Sequence, residues 1–599
     1  IIIIYSSSSL MLALFVGLLQ LLLLTPQRCN GFLQQFPSTR KYNDDLHNKY
    51  ATNNDEDTTN IDYEYDVIVV GSGIGGLSSA AMLSKYGYSV LVLESHSQPG
   101  GAAHGFTMKT KEGEFVFDTG PSFFSGLNPN LPPKSSNPLR TILDYIDETV
   151  ECEPYNSFGL VFPEGADLIH TSNFGRSGGV LDEILGEEGL RQWESVMELM
   201  SPLAKAVDAL PTAAIRTDIG APFTVGPYLP NFASLNPLNN LKLTKPFQSI
   251  LDDANLPGAG FTQRWLDLLC FCLSGLPASG TITAEMALML DEFYAPDAIM
   301  DCPKGGAKQI VNALTRGITK HGGTVRTNSH VEKIIIEDKR AVGVELRASG
   351  KKKTYRAKQA VISNLSLWDL FGTNKKAGGL IDPNDIDISS FIQNKVDTTP
   401  VAKSFMHLHV GFRASREELE RLQAHYMYMD DWSRGVDAED NAVLLSVPSV
   451  HDPTLAPDGY GVLHIYTPAA EEYARWEGLE RKSAEYKTLK ERRSRYLWEV
   501  LEKIMPFDLR ERTVISRVGT PLTHERYLRK HRGTYGPATT AGLPFPNTPI
   551  KGLLVCGDSC FPGIGVPAVA GSGLLAAHSV SLASVKPQME LLEKLRSTD

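Results

Sequence analysis

Gly71-Ser72-Gly73-Ile74-Gly75-Gly76 is a G-x-G-x-x-G run, and Glu94 stands 23 residues after Gly71. Those residue types at that spacing hold a dinucleotide. Gly71 permits a tight turn, Gly73 lets the backbone approach a pyrophosphate, and Gly76 lets a helix pack close to the preceding strand. N–H groups at the helix start carry the partial positive charge that the pyrophosphate needs. An acid about 20 residues on accepts the ribose hydroxyls. A second run lies near the other end of the chain: Gly557-Asp558, then Pro562-Gly563-Ile564-Gly565-Val566-Pro567. An Asp at a strand end suits a sugar-chain hydroxyl or a phosphate-bound water. A Gly-rich helix start offers N–H groups to a ring system that gathers negative charge.

The elements around both runs are legible. Tyr65–Val70 (YDVIVV) is β-branched, as buried parallel strands are. Leu77–Tyr86 reads as a helix, and Tyr88–Leu93 (YSVLVL) as a second strand that ends at Glu94. The three make one βαβ unit. Leu553–Val555 predicts a strand into Gly557-Asp558, and Ala568–Ala577 a helix of small residues. A glycine doublet, Gly100-Gly101, stands six residues after Glu94. This two-ended arrangement, opened by long insertions, resembles flavoprotein oxidoreductases that include amine oxidases and phytoene desaturases. It implies FAD rather than NAD as the bound cofactor. Cys302–Gly323 reads as a Gly-started helix with Ile310, Val311, Leu314 and Ile318 on one face. Strands follow over 324–336, 340–347 and 355–362, with Ser363-Asn364 at a strand end.

A narrower resemblance rests on longer segments: GSGIGGLSSAAMLSKYGYSVLVLESHSQPGGAAHGF, EFVFDTGPSFFSGL, KGGAKQIVNALTRGITKHGGTVRTNSHVEKII, TTPVAKSFMHLHVGF, VGTPLTHERYLRKHRGTYGP and CGDSCFPGIGVPAVAGSG. Together, over about 63–585, they resemble the carotenoid isomerase-like branch of the phytoene desaturase superfamily found in plant and algal plastids. The resemblance implies a Rossmann-type α/β FAD domain interrupted by an α+β substrate domain, a carotenoid or other polyene substrate, and a plastid membrane surface. It also places Val331, in NSHVEKI, where relatives stack backbone against adenine. The residues expected at the cofactor are Gly71 to Gly76, Glu94, Ser95, Gly100, Gly101, Ala102, Ala103, Val331, Asn364, Gly557, Asp558, Gly565, Val566 and Pro567. Ala102-Ala103-His104 departs from the Arg that desaturase and amine-oxidase relatives often carry after the doublet, so their reactions do not transfer by analogy.

The expected layout is a signal-like segment (1–31), a transit and linker segment (32–61), a discontinuous FAD domain (62–150, 300–370, 550–585), a substrate domain (151–299, 371–549) and a C-terminal tail (586–599). The chain opens on Ile1 rather than Met and is read as truncated or mis-started. Leu10–Leu24 is an almost wholly apolar run of signal-core length. The acid-free basic stretch Phe32–Lys41 after it resembles the bipartite presequence of plastids with extra membranes. Segment 469–504 reads as a charged amphipathic helix with a solvated face. Ala221–Leu243, with four prolines, Phe223, Tyr228, Leu229, Phe232 and Leu235, reads as a non-helical membrane-facing loop.

Composition excludes several classes. The chain has 599 residues, 42% hydrophobic and 21% charged, with 51 Gly and 36 Pro, which are globular proportions. A net charge of −11 disfavours nucleic acid as a partner. Seven cysteines make no disulfide framework, and no zinc spacing surrounds Cys270/Cys272 or Cys556/Cys560, which read as buried thiols. Gly175–Gly179 (GRSGG) lacks the strand and helix of a nucleophile elbow. His407 and His409 alternate in FMHLHVGF, either lining a substrate tunnel or satisfied within a sheet. No acid–base pair stands out. The residues do not decide between hydride removal and redox-neutral chemistry; the resemblance favours redox-neutral double-bond chemistry, isomerisation or hydration, over desaturation. A non-catalytic flavin-dependent carotenoid carrier is the other class.

Overall fold

The computed structural model describes residues 63–120, 122–128, 137–235, 241–258, 260–347, 353–372, 379–381, 396–538 and 542–597. The presequence reading falls outside these residues. β1 (Tyr63–Val70), α1 (Ile74–Lys85) and β2 (Val90–Leu93) open the fold. The chain then leaves for β3 (Phe158–Phe162), β4 (Gly165–His170), α2 (Glu187–Ala209), α3 (Phe261–Ser274) and α4 (Thr283–Tyr294). It returns with α5 (Lys308–Lys320), β5 (Thr324–Arg326), β6 (Val331–Glu337), β7 (Arg340–Leu346) and β8 (Lys353–Ser363). A second departure builds β9 (His407–Arg413), β10 (His425–Met429), β11 (Ala442–Ser446), β12 (Tyr460–Tyr466), α6 (Ala484–Ile504) and β13 (Thr513–Gly519). The chain ends with β14 (Leu553–Val555), α7 (Val566–Ser579) and α8 (Val585–Ser597).

Two seven-stranded sheets result among the described residues. The first runs β5-β2-β1-β8-β7-β6, with β14 also beside β8. β1 is parallel to β2 on one side and to β8 on the other, and β8 is parallel to β14. A parallel strand in this position is covered on both faces, which is why β1 carries an unbroken apolar run. Val67 and Val69 enter the core that includes Leu77, Ile310, Leu314 and Leu574. Ile68 and Val70 enter the opposite core with Val344, Tyr355 and Ile550. The second sheet runs β13-β9-β12-β11-β10-β3-β4. Trp265, Phe271, Leu408, Val410, Leu463 and Leu501 belong to its core.

α1 packs against α7 at close range because both are built of small residues. A Cβ at Gly573 would meet the carbonyl O of Gly75, and one at Gly76 the carbonyl O of Gly71. The glycine at 76 therefore serves helix-to-strand packing.

Three expectations need correction. The charged segment 469–504 is helical only from Ala484; a lone 3-10 turn covers Tyr473–Arg475, and Gly478 has φ +79°. Its face is also not all solvated: Arg493 and Ser494 are buried. The expected tail is α8, whose Leu591 and Leu592 join the core around β1. Ala221–Val225 and Leu229–Ser234 are helical, with proline in the first turn of each, where it removes no intrahelical donor.

Candidate functional site

A cavity of about 1460 Å³ runs from the β1–α1 turn to the edge of the second sheet. Every residue expected at the cofactor lines it except Gly76, which lies beneath the turn, and Pro567, which starts α7. The turn is held from several directions. Gly100 pairs with Gly73 as an isolated bridge, and its N–H donates to the carbonyl O of Ser72 at 2.9 Å. Glu94, 9% exposed at the end of β2, accepts from the N–H and hydroxyl of Ser72 at 3.0 and 2.5 Å. Its other oxygen accepts from the N–H of His96 at 2.7 Å. This fixes the carboxylate where β2 ends. Ser329 N–H donates to the Glu94 carbonyl at 2.7 Å and brings the start of β6, with Val331, alongside.

Asn364 is the central side chain of the turn. Its N–H donates to the carbonyl O of Val70 at 2.9 Å. A Cβ at Gly73 would strike its amide nitrogen, and one at Gly75 or Gly557 would lie 2.8 Å from its amide oxygen. Gly557 has φ +101°, which L side chains rarely adopt. Its N–H donates to Ser572 Oγ at 2.7 Å. The glycines thus make room for the Asn364 amide and leave their backbone along the cavity wall, a cradle that fits a pyrophosphate.

Sequence reasoning missed Lys530. Its ammonium contacts Asp558 Oδ2 at 2.6 Å and donates to the Tyr535 carbonyl at 2.7 Å. Lys530 lies in the quoted RKHRGTYGP segment, but only the fold carries it to Asp558. Leu273, Phe405, Tyr466, Leu522, Ile564 and Tyr535 give the cavity an apolar and aromatic wall, and Glu477, Arg481, Glu525, Arg526 and Arg532 also line it. His407 is a lining residue too; His409, one strand position further, donates from Nε2 to the Asp118 carbonyl at 3.0 Å. The six cysteines of the described residues are all free. Burial pushes the Cys272 and Cys556 thiols up to about 12, which suits the inert reading.

A dinucleotide turn opening into a cavity with an apolar and aromatic wall is the arrangement of an FAD-dependent oxidoreductase. The chain belongs to the family of flavin-containing amine oxidoreductases, whose model matches residues 74–581. It is 32% identical to prolycopene isomerase 1, chloroplastic, of an Oncidium hybrid cultivar, over 86% of this chain and 84% of the relative. It is 33% identical to the chloroplastic prolycopene isomerase of Arabidopsis thaliana over 86% and 82%. All-trans-retinol 13,14-reductase of Danio rerio is 26% identical over 83% and 82%. Among solved structures, putrescine oxidase bound to putrescine superposes with a TM-score of 0.55 at 15% identity, covering 88% of this chain and 99% of that one. That likeness establishes the fold.

Burial also sets how the protein meets acid. It holds the rings of His170, His425, His524 and His578 at about 3 and His409 at about 4, well below the usual imidazole value. It raises Asp118 and Asp369 to about 6 and Glu285 to about 8. An imidazole neutral in the fold but protonated in the unfolded chain below about pH 6.5 withdraws stability as pH falls. A raised carboxyl does the opposite, because the folded chain binds the proton first. From pH 7 to 5 each ring removes about 2 kcal/mol, each Asp returns about 1 and Glu285 about 3. The rings prevail, so Tm should fall between pH 7 and pH 5. A Tm that holds or rises would show that these rings are not buried neutral.

Proposed function

We propose that this protein is a plastid enzyme that uses FAD to act on C=C bonds of a carotenoid or other polyene, by redox-neutral cis–trans isomerisation. The observation that carries the reading is one cavity that joins the glycine turn to an apolar and aromatic wall of Leu273, Phe405, Tyr466, Leu522 and Tyr535, with charged residues such as Arg481, Glu525 and Arg526 elsewhere on its lining. A polyene asks for such an apolar wall. The prolycopene isomerases among the relatives support the substrate class, and the word chloroplastic in their names supports the compartment. The bipartite leader belongs to residues outside those described.

In this reading the N–H groups at the start of α1 hold the pyrophosphate, Glu94 the adenosine ribose, and backbone at Val331 the adenine. Asp558, oriented by Lys530, would hold the ribityl chain, and Gly565 and Val566 would offer backbone to the flavin ring. Bound there, a flavin supplies reversible electron and hydride transfer. The protein's part is to orient the polyene across the apolar wall and to exclude water. The regions 151–299 and 371–549 form the substrate domain.

Purified holoprotein given reduced FAD and a poly-cis carotenoid without oxygen should release an isomer of unchanged mass. A product richer by two hydrogens would make the protein a reductase, as the retinol-reductase relatives are named. A product poorer by two, formed when oxidised FAD and an external quinone acceptor are supplied instead, would make it a desaturase.

The substrate is delivered from a membrane face. Among the described residues no single helix is long and apolar enough to cross a bilayer. Ile219 is 79% and Leu241 46% exposed, and they flank the Pro-rich segment 221–235. Apolar side chains next to Lys242 and Lys245 suit a headgroup boundary. Leu229 is buried, so a fair probe leaves it alone. Ile219→Ser with Leu241→Ser should cut liposome binding several-fold and leave flavin content unchanged. Unaltered binding would place the contact elsewhere.

A further inference from the structure

Glu285 is a buried acid that neither the turn nor the cavity wall uses. It stands in the first turn of α4, is 8% exposed, and has no hydrogen-bond partner for either carboxyl oxygen among the described residues. Leaving both oxygens unmet costs stability that a hydrocarbon side chain in the same place would not. Burial alone acts on the group and raises it to about 8, so it is a neutral acid at pH 7.

Its position gives the acid a use. A Cβ at Gly563 would strike Glu285 Oε1, and Gly563 has φ +140°. Glycine is therefore required there twice, by the backbone and by the carboxyl that lies against it. Gly563 opens the run Gly563-Ile564-Gly565-Val566, whose last three residues line the cavity. α3 flanks the same run: Leu273 lines the cavity, and a Cβ at Gly565 would lie 3.5 Å from Leu273 Cδ1. One turn earlier on α3, Cys270 faces Glu285, whose charge is among the causes that raise the thiol. Glu285 thus stands one layer behind the wall at Gly565, closed to solvent and to any ligand.

No other charge competes with it. The segment Phe561–Val566 carries no ionisable side chain. Asp267 of α3 bears on Cys270 and not on Glu285. α2 and the turn carrying Lys242 and Lys245 also pack on α4, and none of their charges acts on Glu285. The Lys530–Asp558 pair, on the cavity side of the run, does not act on it either.

We propose that Glu285 is a positioning residue for the flavin: seated behind the Gly563–Val566 run, its neutral carboxyl keeps the ring easy to reduce, and its ionisation opposes reduction. The inference rests on the placement of the ring at Gly565 and Val566 made above. Reduction gathers negative charge on the ring, and a carboxylate one layer away, out of water, repels that charge while a neutral acid does not. By linkage, the reduced state then holds the Glu285 proton to a higher pH than the oxidised state does.

The test uses the FAD-loaded full chain, reduced without oxygen in the presence of a reference dye, at pH 7 and at pH 9. Absorbance gives the ratio of reduced to oxidised flavin at the potential that the dye reports. Between those two pH values the native ratio should fall about fivefold further than that of Glu285→Gln, whose amide has the acid's shape and cannot ionise. At pH 7 the two proteins should agree. Glu285→Leu, which removes the charge and both unmet oxygens, is the second variant and should follow Glu285→Gln. Equal falls in the native protein and the variants overturn the inference. Leu273→Lys checks the placement, because a cation beside Gly565 should raise the reduced share several-fold at pH 7. A share that Leu273→Lys leaves unmoved puts the ring elsewhere, and the placement and the inference fall together. A raised share with equal falls overturns the role of Glu285 alone.

Discussion

Gly73→Val protein should purify colourless. A Cβ at 73 already meets the Asn364 amide, and two further methyl groups would fill the space where a pyrophosphate approaches the turn. Any damage should stay at the turn, because what the new Cβ meets is the tip of the Asn364 side chain, which can shift. Far-UV circular dichroism should match the parent while the flavin band near the visible disappears. A yellow Gly73→Val protein would move the cofactor away from this turn. Asp558→Ala is the graded comparison. It removes one charge-assisted acceptor, worth roughly 1.5–3 kcal/mol, so FAD affinity should fall about ten- to hundredfold without being abolished.

Arg493→Met should lower stability by about 3–5 kcal/mol. The Arg493 guanidinium donates to Glu471 Oε2 from Nε and Nη2 at 3.0 and 2.8 Å, and to both Asp440 oxygens at 2.7 and 3.0 Å. The Glu471 side chain has no solvent exposure, and its other oxygen accepts from Trp476 Nε1 at 2.8 Å. Removing the arginine leaves a carboxylate buried without its main counter-charge. Urea unfolding should show the loss. The double change Arg493→Met with Glu471→Met should recover much of it, because no charge is then stranded. Arg421→Met is the control: Arg421 is 71% exposed in its pair with Glu417, and its loss should cost under about 1 kcal/mol. The effect should also reach the cavity, since Glu471 exchanges backbone hydrogen bonds with Ser404, the neighbour of Phe405.

The parts legible in the sequence are those where chemistry dictates residue type at short range. A pyrophosphate turn needs glycine at 71, 73 and 76 and an acid at the end of the next strand, and no other arrangement reads the same way. The alternation around His407 and His409 gave their strand. It could not give His464, which stands opposite His409, because β9 and β12 are joined by register across more than 40 intervening residues, and nothing local encodes that. Lys530 escaped for the same reason: its partner Asp558 is set by how two loops meet. The break before Ala484 escaped because the charged residues of 469–483 mimic a solvated helix, while Glu471 is there to be buried. α8 was within reach. Val585, Gln588, Leu591 and Leu592 recur at helical spacing and are buried together.

Asn364 has a consequence for how the protein is made. Its side chain touches the sites of Gly73, Gly75 and Gly557, so the cradle is complete only when segments nearly 490 residues apart have met. The ribosome adds about 5–20 residues per second and releases the N-terminal part first. During most of synthesis β1, α1 and β2 exist without β14 and α7. The cradle therefore closes only once the chain is complete, so on the proposed reading FAD capture follows synthesis, and until then the small-residue face of α1 lacks α7. A shortage of FAD would be felt by newly arrived chains before it stripped those already assembled.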